Sequence, residues 1–438
     1  MGVRHTGGVD EVEHVGARSG GRPGPGREGR RARRTVGPRL TPVATAIVVA
    51  ALLAAGCATT ARRAAEDVIE SRTEGTFYRP PAPLPAGRPG QLIRSERLLG
   101  APNGAHAWRV LYHSRDVTGA DVAVSGVVVA PDAARSHGPR TVVAWGHPTT
   151  GAAPRCAPSI GVDPFDLIEG LKALLTDGYV VAASDYPGMG SPSPPSYLIG
   201  TSEGNSVLDA ARAAAHIPQT HAGSDVLLWG HSQGGQAVLF AAQDAPTYAP
   251  DLHVRAVAVA APAAELGQLL TDDLVDDSGV TLGSYAFDAY VKVYGPTTPD
   301  LSLSTLLTPA GVAATPKMAG MCLFGQHRAL HAMAKPLVGH YLAHDPAEVP
   351  AWSTLLAQNT PGAAPIGIPI LVAQGLDDTL VRPATTAAYV AHLCATGEHV
   401  DYRTYTHQVH ATIAVAALGA VQSFFGDVLA AKPTISTC

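Results

Sequence analysis

The sequence predicts an α/β fold: a mostly parallel, doubly wound sheet of eight strands flanked by helices. Three observations lead there. Several runs, among them "TVVAW" (141–145), "YVVAAS" (179–184), "VLLW" (226–229) and "VRAVAVAA" (254–261), are nearly continuous in Val, Ala and Leu, as strands buried on both faces require. Between such runs lie helical patterns, "DLIEGLKALLTDG" (166–178), "EGNSVLDAARAAAHI" (203–217) and "TTAAYVAHLCATG" (385–397). Strand alternating with helix implies βαβ units. The composition, 46% apolar and 15% charged over 438 residues, is globular and suits one large domain with an insertion, or two ordinary domains.

The chain opens with an export pattern. Residues 1–40 carry nine Arg against four acids, residues 41–56 carry no charge, and the remainder holds 22 basic and 32 acidic residues. An acidic body without a basic stripe argues against a nucleic-acid partner. The uncharged run "VATAIVVAALLAA" falls short of the ~20 residues a bilayer span needs and reads as the apolar core of a signal peptide. It ends at Gly56-Cys57, which resembles a bacterial lipobox, with Ala54 where Leu is usual. Cys57 would then carry a lipid and anchor the protein to a membrane; the alternative is a plain secretory signal cut near "AAGCA". The Arg-rich leader is long enough for translation to start downstream of Met1. Residues 1–57 are therefore read as signal and 58–75 as a tether.

From Thr76 the chain reads as a catalytic core, first through the proline-rich, extended "TFYRPPAPLPAGRPG". The remaining strand-like runs are "WRVLYHS" (108–114), "DVAVSGVVVA" (121–130), "IPILVAQ" (368–374) and "VDYRTYT" (400–406). The rhythm breaks at about 264–365, where helical pieces and Pro/Gly turns replace it. The core is thus expected over 76–263 and 366–438, with a helical insertion between. Setting Cys57 aside leaves Cys156, Cys322, Cys394 and Cys438, enough for two disulfides in an exported protein, with three connectivities open. No zinc-like spacing is present, and the chain calls for neither a metal nor an organic cofactor.

"VLLWGHSQGGQAVLF" (226–240) places Gly-x-Ser-x-Gly at Gly230, Ser232 and Gly234. With 46 glycines and 22 serines in the chain, that motif alone has about a one-in-four chance of arising at random. Its context carries the argument: Ser232 follows the fifth predicted strand directly and precedes an apolar helical run, the strand–turn–helix of a nucleophile elbow. A serine needs a base, and the base needs an acid to orient it. In this architecture the order along the chain is Ser, acid, His. The acid belongs after the seventh predicted strand, in "QGLDDTLV", where Asp378 is favoured over Asp377. The base belongs after the eighth, in "YTHQVHATIAV", where His410 is favoured over His407. His231 adjoins the nucleophile and is assigned local packing or hydrogen bonding. Two backbone N–H groups must form an oxyanion hole. One is expected from Gln233 and the other from "WGHPTTG", from Thr149 or next from Thr150, because Pro148 has no N–H.

Together "FYRPP" (77–81), "HPTTG" (147–151), "CAPS" (156–159), "DYPGMG" (185–190), "SYLIGTSEGNSVLDAARAA" (196–214), "WGHSQGG" (229–235) and "QGLDDTLV" (374–381) resemble the secretory lipase family of α/β-hydrolases, from about Thr76 to Cys438. Relatives often carry His-Gly-Thr-Thr-Gly where this chain has Pro148. The resemblance implies hydrolysis of acyl esters or acylglycerols, with Ser232, Asp378 and His410 as triad and residues 264–365 as a helical cap. It also implies disulfides Cys156–Cys322 and Cys394–Cys438. The rival expectations are an acyltransferase with the same triad and a non-catalytic envelope binding protein. In the insertion, "LGSYAFDAYVKVYG" (282–295) supplies aromatics for core or pocket wall, core being the favoured reading.

Overall fold

The computed structural model describes residues 75–132 and 138–438. The signal pattern, Cys57 and the tether through residue 74 lie outside these residues. Nine strands form one sheet: β1 (Leu92–Leu98), β2 (Ala105–Arg115), β3 (Asp121–Pro131), β4 (Arg140–Gly146), β5 (Val180–Ser184), β6 (Ala222–His231), β7 (His253–Ala260), β8 (Ile370–Gly375) and β9 (Val400–Tyr405). Their order is β1-β2-β3-β5-β4-β6-β7-β8-β9. Pairings from β5 through β9 are parallel, and those joining β1, β2, β3 and β5 are antiparallel. The eight expected strands all form, and β1 is an addition. Its sequence, LIRSERL, is half exposed and mostly polar at the sheet edge, so it lacks the apolar run that marks a buried strand.

The buried strands need apolar residues at every position because both sheet faces are covered. Val143, Trp145, Leu227 and Trp229 point to one face; Val142, Ala144, Val226 and Leu228 point to the other. This is the two-residue period of a strand. The first face is covered by α1 (Leu171–Thr176) and by α10 (His410–Leu429) through Ile413, Val421 and Phe425. The second is covered by α2 (Gly200–Ala215), α3 (Gln233–Tyr248) and α9 (Pro383–Ala395). Helix α10 is long and apolar enough to cross a membrane, with mean hydropathy 1.6, but its inner stripe is spent on the sheet.

Between β7 and β8 lie five helices: α4 (Leu266–Asp273), α5 (Asp277–Tyr294), α6 (Pro309–Ala319), α7 (Leu323–Ala334) and α8 (Pro350–Gln358). Side-chain caps start two of them. Asp276 accepts from the Gly279 N–H at 2.9 Å, and Thr308 accepts from that of Gly311 at 3.2 Å. Phe287 packs edge-on against Trp352, which stacks parallel to Tyr290. Both disulfides implied by the resemblance are present. Cys156–Cys322 ties the loop after β4 to the start of α7, and Cys394–Cys438 ties the end of α9 to the C-terminal residue.

Candidate active site

Ser232 sits between β6 and α3 with φ 57° and ψ −119°, a conformation that non-glycine residues adopt only under strain. Its neighbours make the turn possible. A Cβ on Gly234 would lie 1.9 Å from the Gly146 carbonyl oxygen, and one on Gly230 would lie 2.2 Å from that of Gly234. Glycine at these positions lets β4, β6 and α3 converge, and the turn lifts the Ser232 side chain out at the head of α3.

His410, the first residue of α10, reaches back across the sheet. Its Nε2 lies 2.8 Å from Ser232 Oγ, and its Nδ1 lies 2.8 Å from Asp378 Oδ2. Asp378 is buried, and its Oδ1 accepts from the N–H groups of Leu380 and Val381, each at 2.9 Å. A carboxylate so fixed holds the Nδ1 proton, which leaves Nε2 as acceptor for the serine hydroxyl. Burial lowers the His410 pKa below the usual histidine range; the bond to Asp378 opposes this, and His231 adds to it. The alternatives lie elsewhere. Asp377 and His407 face solvent and approach each other at 3.6 Å.

Ser232 opens into a cavity whose wall includes Thr149 and Gln233, the two residues expected to supply the oxyanion N–H groups. The Thr149 hydroxyl meets that of Tyr197 at 2.9 Å. Thr150 is not part of that wall: its Oγ1 donates to the Cys156 carbonyl, and its own carbonyl accepts from Leu323 N–H. The rest of the wall is mostly apolar and comes largely from the insertion, including Leu269, Leu282, Ala286 and Leu356. Tyr290 of the aromatic stretch lines the cavity as well as the core, whereas Phe287 is core alone. One carboxyl, Asp273, also lines it. Burial first, and then the neighbouring Asp276, push its pKa up to about 8.

His231 packs and hydrogen-bonds beside the nucleophile: its ring lies 4.9 Å from that of His410 and bonds Glu169 at 2.9 Å. Two features escaped the sequence reading. His147 is buried against Tyr186, and burial lowers its pKa to about 4. Glu203, inside the quoted "EGNSVLDAARAA", is wholly buried and bonds the Gln233 side chain at 2.7 Å. An acid in the first turn of a helix reads as a solvated dipole partner, so nothing local announced its burial. Among the described residues no group of three or more His, Cys, Asp or Glu is placed to hold a metal ion.

A model of the secretory lipase family matches residues 165–437. Lipase A of Moesziomyces aphidis is 27% identical over 229 residues, 49% of this chain and 48% of that protein, so the match spans about half the length of that relative. Lipase A of Arthroderma benhamiae is 24% identical over 379 residues, 80% of this chain and 78% of that one. The closed-state structure of Candida antarctica lipase A superposes with TM-score 0.70 at 20% identity, covering 83% of this chain and 88% of the other. Its α/β-hydrolase fold is shared by this chain.

Proposed function

The chain belongs to the secretory lipase family, and from that premise we propose that it is an exported serine hydrolase acting on acyl esters or acylglycerols. The observation that carries the reading is His410, which bridges Ser232 Oγ and Asp378 Oδ2 at 2.8 Å each beside an apolar cavity. In this mechanism Ser232 attacks the ester carbonyl while His410 Nε2 takes its proton. Asp378 holds the imidazole in the productive tautomer and stabilises the imidazolium. The N–H groups of Gln233 and Thr149 receive the oxyanion, each donor contributing ~3 kcal/mol to barrier lowering. His410 then protonates the leaving alcohol, and water, activated by the same imidazole, releases the acid from the acyl-enzyme. The helices from α4 to α8 act as a cap whose apolar side chains hold the acyl chain. Cys57, lipidated, would keep the enzyme at the cell envelope.

The test is hydrolysis of a p-nitrophenyl ester series, from acetate to palmitate, by the exported protein and its Ser232→Ala variant. Turnover is expected in the native protein and absent from the variant, with the best chain length reporting the depth of the apolar cavity. Equal turnover by both proteins would remove Ser232 from the chemistry. No turnover by either would favour a binding protein, or an acyltransferase lacking its acceptor.

A further inference from the structure

Glu203 has no part in the steps above, yet it stands directly behind them. It lies in the first turn of α2 with 0% exposure. Among the described residues no cation compensates it: beyond burial, the groups acting on it are Gln233 and Leu198. Its Oε1 accepts from Gln233 Nε2 at 2.7 Å and from the Leu198 N–H at 3.2 Å. Both donors belong to residues that line the cavity beside Ser232. Leu198 is held at φ 56°, a left-handed conformation that leucine rarely adopts. Its carbonyl in turn accepts from the Tyr290 hydroxyl at 3.0 Å and from Gln236 Nε2 at 3.2 Å. A single carboxyl thus joins the helix that presents Gln233 to the loop that presents Leu198.

This cluster is short of donors. Glu203 Oε2, Gln233 Oε1 and Gln236 Oε1 are buried acceptors without a partner. An ionised Glu203 would add a charge and no donor, whereas a protonated one adds an O–H. Burying the neutral acid is also far less costly than burying an unpaired carboxylate. Burial accordingly raises its pKa well above the usual carboxylate range. The titratable groups that face it are Tyr186 after β5, Tyr197 before α2 and Tyr290 on α5, and burial raises all three, so they stay neutral.

We propose that Glu203 is a positioning residue for ester hydrolysis, held as the neutral acid, that fixes Gln233 and the Leu198 wall against the reacting carbonyl. The proposal rests on the hydrolase reading above. Loss of its proton puts an uncompensated negative charge behind the place where the oxyanion forms, which opposes that charge. The turnover number therefore falls on the alkaline side as Glu203 ionises.

The experiment measures kcat and KM for p-nitrophenyl butyrate, from mildly acid to alkaline pH, in the native protein, Glu203→Gln and Glu203→Leu. Tm and fluorophosphonate labelling of Ser232 are recorded for each. The leucine variant is expected to lose about tenfold or more in kcat with KM little changed. Glutamine accepts the same two bonds and cannot ionise, so it recovers most of that loss and abolishes the alkaline fall. A native alkaline fall in Glu203→Gln, or native kcat in Glu203→Leu, overturns the proposal. So does a parallel loss of kcat, KM and Tm in both variants, which would mark a merely structural residue. If the native protein neither turns over ester nor labels at Ser232, the hydrolase reading is what has failed, and this inference falls with it.

Discussion

Replacing Gly234 by alanine tests the elbow geometry at its tightest point. The added Cβ would sit 1.9 Å from the Gly146 oxygen and 2.2 Å from its carbon. Both are backbone atoms of a central strand, so no side-chain rotation relieves the contact. Real Cβ atoms are essentially never found below 3.0 Å, so going from 1.9 Å to 3.0 Å moves α3 away from β4 by about 1.1 Å. Helix α3 begins at Gln233, directly after Ser232, while β4 leads into the Thr149 loop. The displacement therefore separates the two expected oxyanion donors and pulls Ser232 away from His410. An ångström of misplacement costs on the order of a hundredfold in rate, and overpacking a core costs about 1–3 kcal/mol in stability. Gly419→Ala, on α10, is the control: its Cβ meets nothing within 4 Å. There a helix interior gains about 0.5–1 kcal/mol from losing glycine, with kcat unchanged. The assay is kcat on p-nitrophenyl butyrate with Tm by calorimetry for both variants. Native kcat in Gly234→Ala would refute the reasoning, because the strand and helix would then have room that the structure denies them.

Other perturbations act on the triad and its supports. Asp378→Asn is expected to cost about 10⁴-fold in kcat by stabilising the wrong imidazole tautomer, while Asp377→Asn, at an exposed position, leaves kcat near native; steady-state kinetics on both decide between the adjacent acids. In the proposed mechanism His410 is a neutral base, and burial, by lowering its pKa, favours that form. His231→Gln removes one cause of the lowering, so the acid limb of kcat/KM moves to higher pH and activity at mildly acid pH falls, as a pH–rate profile will show. Cys394→Ser with Cys438→Ser opens a link between residues 44 apart, for which chain entropy predicts a loss of about 4 kcal/mol. Chemical denaturation measures that loss, with kcat retained because neither cysteine touches the cavity.

How much of this molecule was legible in its sequence depends on the range of the physics. Strand and helix periods are local, so the eight expected strands and the flanking helices could be read from runs such as "TVVAW" and "EGNSVLDAARAAAHI". The elbow was legible for the same reason, since Gly230 and Ser232 meet their constraint within one tight turn; the constraint on Gly234 comes from Gly146 on β4. Strand β1 was not, because an exposed edge strand is specified by backbone pairing to β2 rather than by an apolar pattern. The other distinctions depend on distant parts of the chain. His410 meets Ser232 across 178 positions, and the insertion, starting beyond β7, walls a cavity that opens at the end of β6. Asp378 was favoured over Asp377 by position along the chain, and the hydrogen bonds to Leu380 and Val381 that fix it became visible only in the folded turn. Thr149 lines the cavity and Thr150 does not, the hydroxyl and carbonyl of the second being engaged by the Cys156 carbonyl and the Leu323 N–H. Glu203 is the extreme case: its sequence position is that of an ordinary helix acid, and only the packing of α2, α3 and α5 around it removes its water. Period and motif by themselves determined eight of the nine strands and where a nucleophile could stand. Which acid meets His410, which threonine lines the cavity and which carboxyl is buried beside Gln233 were decided by tertiary packing, because burial and hydrogen-bond partners are properties of neighbours in space.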